Sequence, residues 1–125
     1  MAAERILIID DDEDVRDFLC QALQDEGYEV STAADGLSAL ELLGQVRPQL
    51  ILLDALMPMM DGWDFMVARS HHPRQAHVPV IALSAVGNAA ESLQRVGADD
   101  YLAKPFELED LLALIAKHLR PATGN

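Results

Sequence analysis

Apolar residues in this chain follow two alternating patterns: short runs of strand length, and longer stretches in which they recur every three or four positions. The runs stand at 6–9, 28–32, 50–53, 80–83 and 101–103. Four of them are uninterrupted or rich in β-branched residues, as suits strands covered on both faces, whereas Tyr28-Glu29-Val30-Ser31-Thr32 alternates and suits a sheet edge. Helical spacing fills the intervals. Val15, Phe18, Leu19, Ala22 and Leu23 mark one helical face, with Gly27 as the stop signal. Leu37, Leu40, Leu43 and Val46 mark a second helix, between Asp35-Gly36 and Pro48, and a short, weakly patterned third runs around 63–69. Ala89, Leu93 and Val96 mark a fourth, closed by Gly97. The fifth is the clearest: Leu108, Leu111, Leu112, Ile115 and Leu119 share a face. Acids Glu107, Glu109 and Asp110 open it, Lys117, His118 and Arg120 close it in the sense the helix dipole favours, and Pro121 stops it.

Strand and helix alternating five times imply right-handed crossovers, and therefore a parallel sheet with helices on both faces. The expected fold is a doubly wound α/β domain. At 125 residues the chain has the size of one domain, here 1–125, with a core over 5–119 and residues 120–125 as a tail or linker remnant.

Composition narrows the setting. Cys20 is the single cysteine and lies within an amphipathic pattern, so it reads as a small core or near-core residue in a reducing compartment. No run approaches the ~20 apolar residues of a membrane span, and the cytoplasm is the expected location. Twenty-one acidic against nine basic residues give a net charge of −12, which repels nucleic acid and anionic membrane surfaces. Only Lys104 and Lys117 among the bases are lysines.

In a doubly wound sheet, ligands bind beyond the carboxyl ends of the strands. Asp10 and Asp11 follow the first strand, Asp54 ends the third, Ser84 ends the fourth, and Lys104-Pro105 ends the fifth. Carboxylates gathered there repel one another unless a cation compensates them. Carboxylate oxygens with room for water suit Mg²⁺; a lysine and a hydroxyl suit phosphoryl oxygens; an aspartate can itself accept a phosphoryl group. The set therefore fits metal-assisted phosphoryl transfer onto a carboxylate. Asp12, Glu13 and Asp14 read instead as acids at a helix start. His71, His72 and His77 occupy a loop without carboxylate or thiol partners, and Met57, Met59 and Met60 read as packing residues.

These residues, in this order, resemble the receiver domain of two-component response regulators, of the chemotaxis-regulator type. The segments that carry the likeness are 6–12, 53–62, 82–85 and 97–106, ending in Tyr101-Leu102-Ala103-Lys104-Pro105-Phe106. The resemblance implies a flavodoxin-like sheet of strand order 2-1-3-4-5 and a phosphoacceptor signalling module rather than an enzyme with a diffusible substrate. Asp54 would accept the phosphoryl group from a sensor histidine kinase or phosphotransfer protein. Mg²⁺ would be held by Asp11, Asp54 and the backbone carbonyl of Leu56, with Asp10 acting mainly through a bound water. Lys104 and Ser84 would contact the phosphoryl oxygens, Ser84 and Tyr101 would form the switch, and the Lys104-Pro105 peptide would be cis. Output would pass through the surface of the fourth helix, fifth strand and fifth helix, around residues 88–96 and 100–119, and Trp63 would stand partly exposed beside the acceptor loop.

Ser84 stands where the family more often has threonine. Leu56 and Val86 are apolar at positions flanking the phosphoryl site, so neither can orient a hydrolytic water, and a longer-lived phosphoryl group is expected. A Mg²⁺-dependent phosphohydrolase with an aspartyl-phosphate intermediate is the competing enzyme class. Such enzymes of the haloacid dehalogenase type usually carry a second acid two residues after the nucleophile, where this chain has Leu56. A flavin or nucleotide binder would need a glycine- or hydroxyl-rich loop where this chain has Asp10-Asp11-Asp12-Glu13-Asp14.

Overall fold

A computed structural model of the chain describes residues 3–57, 60–72, 75–85 and 88–119. Pro58, Met59, Val86, Arg120, Pro121 and the rest of the expected tail lie outside the described residues. Strands β1 (Arg5–Ile9), β2 (Glu29–Ala33), β3 (Leu50–Asp54), β4 (Val80–Ser84) and β5 (Asp100–Ala103) pair in parallel, in the order β2-β1-β3-β4-β5. Between and after them run α1 (Glu13–Asp25), α2 (Gly36–Val46), α3 (Gly62–Ser70), α4 (Ala89–Ser92) and α5 (Leu108–Leu119).

Successive strand residues point to opposite faces, and this divides the core in two. Ile6, Ile8, Leu50, Leu52, Ile81 and Leu83 pack with Leu19 and Leu23 of α1 and with Leu111 and Ile115 of α5. Leu7, Ile9, Ile51, Leu53, Val80 and Ala82 pack with Leu43 of α2, Phe65 of α3 and Leu93. Every residue of β3 and β4 is buried, which explains their unbroken apolar reading. Burying each of their large aliphatic side chains contributes about 1.5–3 kcal/mol, so β3 at the centre and β4 beside it anchor the sheet.

Three expectations are corrected. β5 is an edge strand like β2, and its residues alternate between half-buried and exposed instead of being covered on both faces. Phe18 and Leu37 point outward, at 59% and 48% exposure, while Leu19 and Leu23 on α1 and Ala39 and Leu43 on α2 carry the contact with the sheet. The fourth helix is only α4, four residues long, followed by a 3₁₀ turn, Leu93–Val96, and Gly97 in a left-handed conformation. Asn88 makes no side-chain cap there, unlike Asp12, Asp35 and Asp61 at the starts of α1, α2 and α3.

The rim at the carboxyl ends is assembled by local closures. Asp61 caps α3 by accepting the Asp64 N–H at 3.0 Å. Gly62 donates its N–H to the Ala55 carbonyl at 2.9 Å; a Cβ on Gly62 would lie 2.9 Å from that oxygen and 3.1 Å from Leu93 Cδ1. Only glycine lets α3 start this close to the end of β3. The Lys104-Pro105 peptide is cis, as the resemblance implied.

Candidate functional site

Where β1 ends, the chain turns through Asp10, Asp11 and Asp12 into α1. Asp12 caps the helix, its Oδ1 accepting the N–H groups of Asp14 at 2.9 Å and Val15 at 3.3 Å, with Glu13 and Asp14 in the first turn. It is thereby committed to the helix start. Asp10 is completely buried and hydrogen-bonded through its backbone and both carboxylate oxygens. Its N–H donates to the Ala33 carbonyl at 3.1 Å, and its own carbonyl accepts from Arg16 Nη1 at 2.7 Å. Its Oδ1 accepts the Asp12 N–H at 2.9 Å, and its Oδ2 lies 2.7 Å from Lys104 Nζ. Asp11 is exposed.

Asp54, the last residue of the central strand β3, is 7% exposed and accepts the Leu56 N–H at 3.3 Å. Single carboxylate oxygens of Asp10, Asp11 and Asp54 all lie within 4.8 Å of one another. Burial first, and then the negative charge of Asp10, push the Asp54 carboxyl up to about 7; Lys104 and the Leu56 N–H oppose this, and a hydrogen bond with Asp11 adds to it. Without a bound cation, Asp54 is therefore divided between its protonated and ionised forms near neutrality. Three hard oxygen donors, two buried and one facing water, suit a divalent cation that keeps part of its hydration shell.

The neighbouring strands supply the rest. Asp54 pairs with Leu83 across the β3–β4 ladder, so Ser84 stands one step further along β4 at the same rim, 2% exposed. The Lys104 N–H donates to the Ser84 carbonyl at 2.8 Å, fixing where the lysine leaves β5. Tyr101 lies opposite Ala82, two residues short of the Ala103–Ser84 pair, and is 37% exposed. The structure thus gathers Asp10, Asp11, Asp54 and Lys104 and sets Ser84 on the adjoining strand, while Tyr101 remains on the edge. Leu56 is 40% exposed, and Trp63 is half-buried at the start of α3.

Sequence reasoning passed over Arg16, which holds the Asp10 carbonyl. A signal was available, because it is the one base in an otherwise acidic and neutral α1. The tight approach of Gly62 to Ala55 had no comparable signal beyond the Asp61-Gly62 pair itself.

The model of the response regulator receiver domain matches residues 6–116. The chain belongs to the response-regulator receiver family. As a receiver domain of two-component systems it has a phosphoacceptor signalling role, and such domains interact with histidine kinases and output domains. It is 41% identical over 118 residues to the DNA-binding dual master transcriptional regulator RpaA of Synechocystis, covering 93% of this chain and 49% of that protein. It is 41% identical over 123 residues to the response regulator MprA of Mycolicibacterium vanbaalenii, covering 97% of this chain and 52% of that one. The chain spans about half the length of these curated relatives. Among solved structures, Vibrio cholerae chemotaxis protein CheY4 superposes with a TM-score of 0.88 at 34% identity, covering 94% of this receiver and 100% of that chain.

Proposed function

We propose that Asp54 is the phosphoacceptor of this receiver and takes its phosphoryl group from a phosphohistidine of a sensor kinase or phosphotransfer protein. The observation that carries this reading is the convergence of Asp10, Asp11 and Asp54 within 4.8 Å, with Lys104 at 2.7 Å from Asp10. Asp11, Asp54 and the Leu56 carbonyl would hold Mg²⁺, with Asp10, whose two oxygens each already accept one hydrogen bond, acting mainly through a bound water. When bound, the cation supplies neutralisation of the charge that gathers on the transferred group. Asp54 attacks phosphorus as the nucleophile, the P–N bond of the phosphohistidine breaks and the donor imidazole departs, Lys104 pairs with a phosphoryl oxygen, and Ser84 donates to another after transfer.

Beside Lys104 an apolar groove of about 430 Å³ is lined by Val15, Phe18, Leu19, Pro105 and Phe106, with Asp14 at its margin. The donor seats there, which gives the outward Phe18 a role that core packing does not. Output passes through α4, β5 and α5. Asp100 at the start of β5 joins two of these, lying 3.2 Å from His118 Nε2 and 3.6 Å from Lys117 Nζ. Phosphorylation would favour an inward Tyr101 and so alter the face offered to partners. The net charge of −12 weighs against direct nucleic-acid contact by this domain, whose place is the cytoplasm.

Incubation with Mg²⁺ and a small phosphodonor, followed by intact mass, tests the assignment. One added phosphoryl group in the native chain and none in Asp54→Asn is expected; no gain from either a small donor or a histidine kinase would overturn it.

A further inference from the structure

Arg16 is the only base on α1 and stands in its opening turn, where the helix dipole disfavours a cation. Glu13 and Asp14 beside it obey that preference, and no base occupies the last turn, where one would be stabilised. Helix electrostatics therefore do not account for Arg16. Its contact does. The pairing of β1 with β2 and β3 runs out at Ile9, opposite Ala33 and Leu53. The Asp10 N–H still reaches the Ala33 carbonyl, but the Asp10 carbonyl is taken by Arg16 Nη1 at 2.7 Å. A half-buried guanidinium thus replaces a ladder partner at the point where the chain leaves the sheet.

We propose that Arg16 is a positioning residue for the metal and phosphoryl site. By holding the Asp10 carbonyl it fixes the plane of the Asp10–Asp11 peptide, and so the direction in which Asp11 is offered toward Asp54. The inference rests on the reading of the acidic pocket as a Mg²⁺ site. Charge alone predicts the opposite effect, because deleting a cation near a cation site should tighten Mg²⁺ binding. The sign of the change separates positioning from electrostatics.

The test is calorimetric titration of the folded protein with MgCl₂, for the native chain and for Arg16→Ala, Arg16→Gln and Arg16→Lys, each below the onset of its own thermal unfolding. Amide hydrogen exchange at Asp11 and Asp12 in metal-free protein is the second readout. Arg16→Ala should weaken Mg²⁺ binding by about tenfold or more, in the range seen when groups behind a metal ligand are removed. It should also speed exchange at Asp11 and Asp12 without any metal present. Arg16→Gln or Arg16→Lys, each keeping a donor, should recover most of both losses. Equal or tighter binding by Arg16→Ala overturns the inference, as does a loss that neither donor-bearing variant relieves. A native chain that takes up no Mg²⁺ overturns the metal reading itself and the inference with it, a result distinct from unchanged affinity in Arg16→Ala.

Discussion

Lys104 Nζ lies 2.7 Å from Asp10 Oδ2 although 94 positions separate the two residues in the sequence. The carboxylate is completely buried and the lysine side chain is 19% exposed. Removing one partner of a buried pair typically costs about 3–5 kcal/mol, and the residual exposure of Lys104 places Lys104→Ala at or below the lower end. Urea unfolding in the absence of Mg²⁺ should show that loss. Added Mg²⁺ should recover more stability in Lys104→Ala than in the native chain, because a cation then returns to a cluster left without one. Equal recovery in both proteins would sink the prediction.

Asp54 links metal affinity to pH. Its carboxyl rises from 3.8 to about 7 on folding, so between those values the folded state binds more protons than the unfolded state. Metal-free stability from this group therefore falls as pH rises through that window. Mg²⁺ must displace the proton, so its affinity should climb by up to about tenfold per pH unit below 7 and level off above it. Calorimetry at several pH values checks this, and Asp54→Asn should flatten the profile.

Two glycines predict opposite outcomes. An added Cβ at Gly62 meets the backbone of Ala55 at 2.9–3.0 Å, and Gly62→Ala should cost about 1–3 kcal/mol through overpacking. At Gly44, exposed within α2, the nearest atom is His72 Nε2 at 3.8 Å. Gly44→Ala should stabilise by up to about 1 kcal/mol through helix propensity. Paired thermal melts decide both, and a stabilising Gly62→Ala would refute the account of the β3–α3 closure.

Leu56 lies beside the acceptor and offers no side-chain hydrogen bond to water. Replacing it with asparagine should speed loss of the phosphoryl group, by up to about 10²-fold. Time-resolved intact mass measures the decay; loss within seconds from the native chain would contradict the expected long lifetime.

The parallel sheet and the gathering of the rim residues were legible because β3 and β4 are buried on both faces and carry no polar interruption before Asp54 and Ser84, whereas the strand order came only from the family resemblance. The weaker elements were not. Residues 89–96 have helical spacing, yet the segment has no capping side chain at Asn88 and winds into a 3₁₀ turn after Ser92. Apolar periodicity also could not distinguish Leu19 from Phe18, because both lie near the same stripe and only the packed sheet selects between them. The ion pair between Lys104 and Asp10 is a property of two strand ends, those of β5 and β1, brought together by the fold, with no local pattern to announce it.

Asp10 has a mechanical consequence beyond its charge. Its N–H bonds to the last residue of one edge strand, β2, and its carboxylate bonds to the lysine that follows the other edge strand, β5. One residue thus acts as a tie across the full width of the sheet at its open rim. In the phosphoryl-transfer reading, a ligand that draws Lys104 away removes this tie and leaves the two edges joined only through the β1–β2, β1–β3, β3–β4 and β4–β5 ladders.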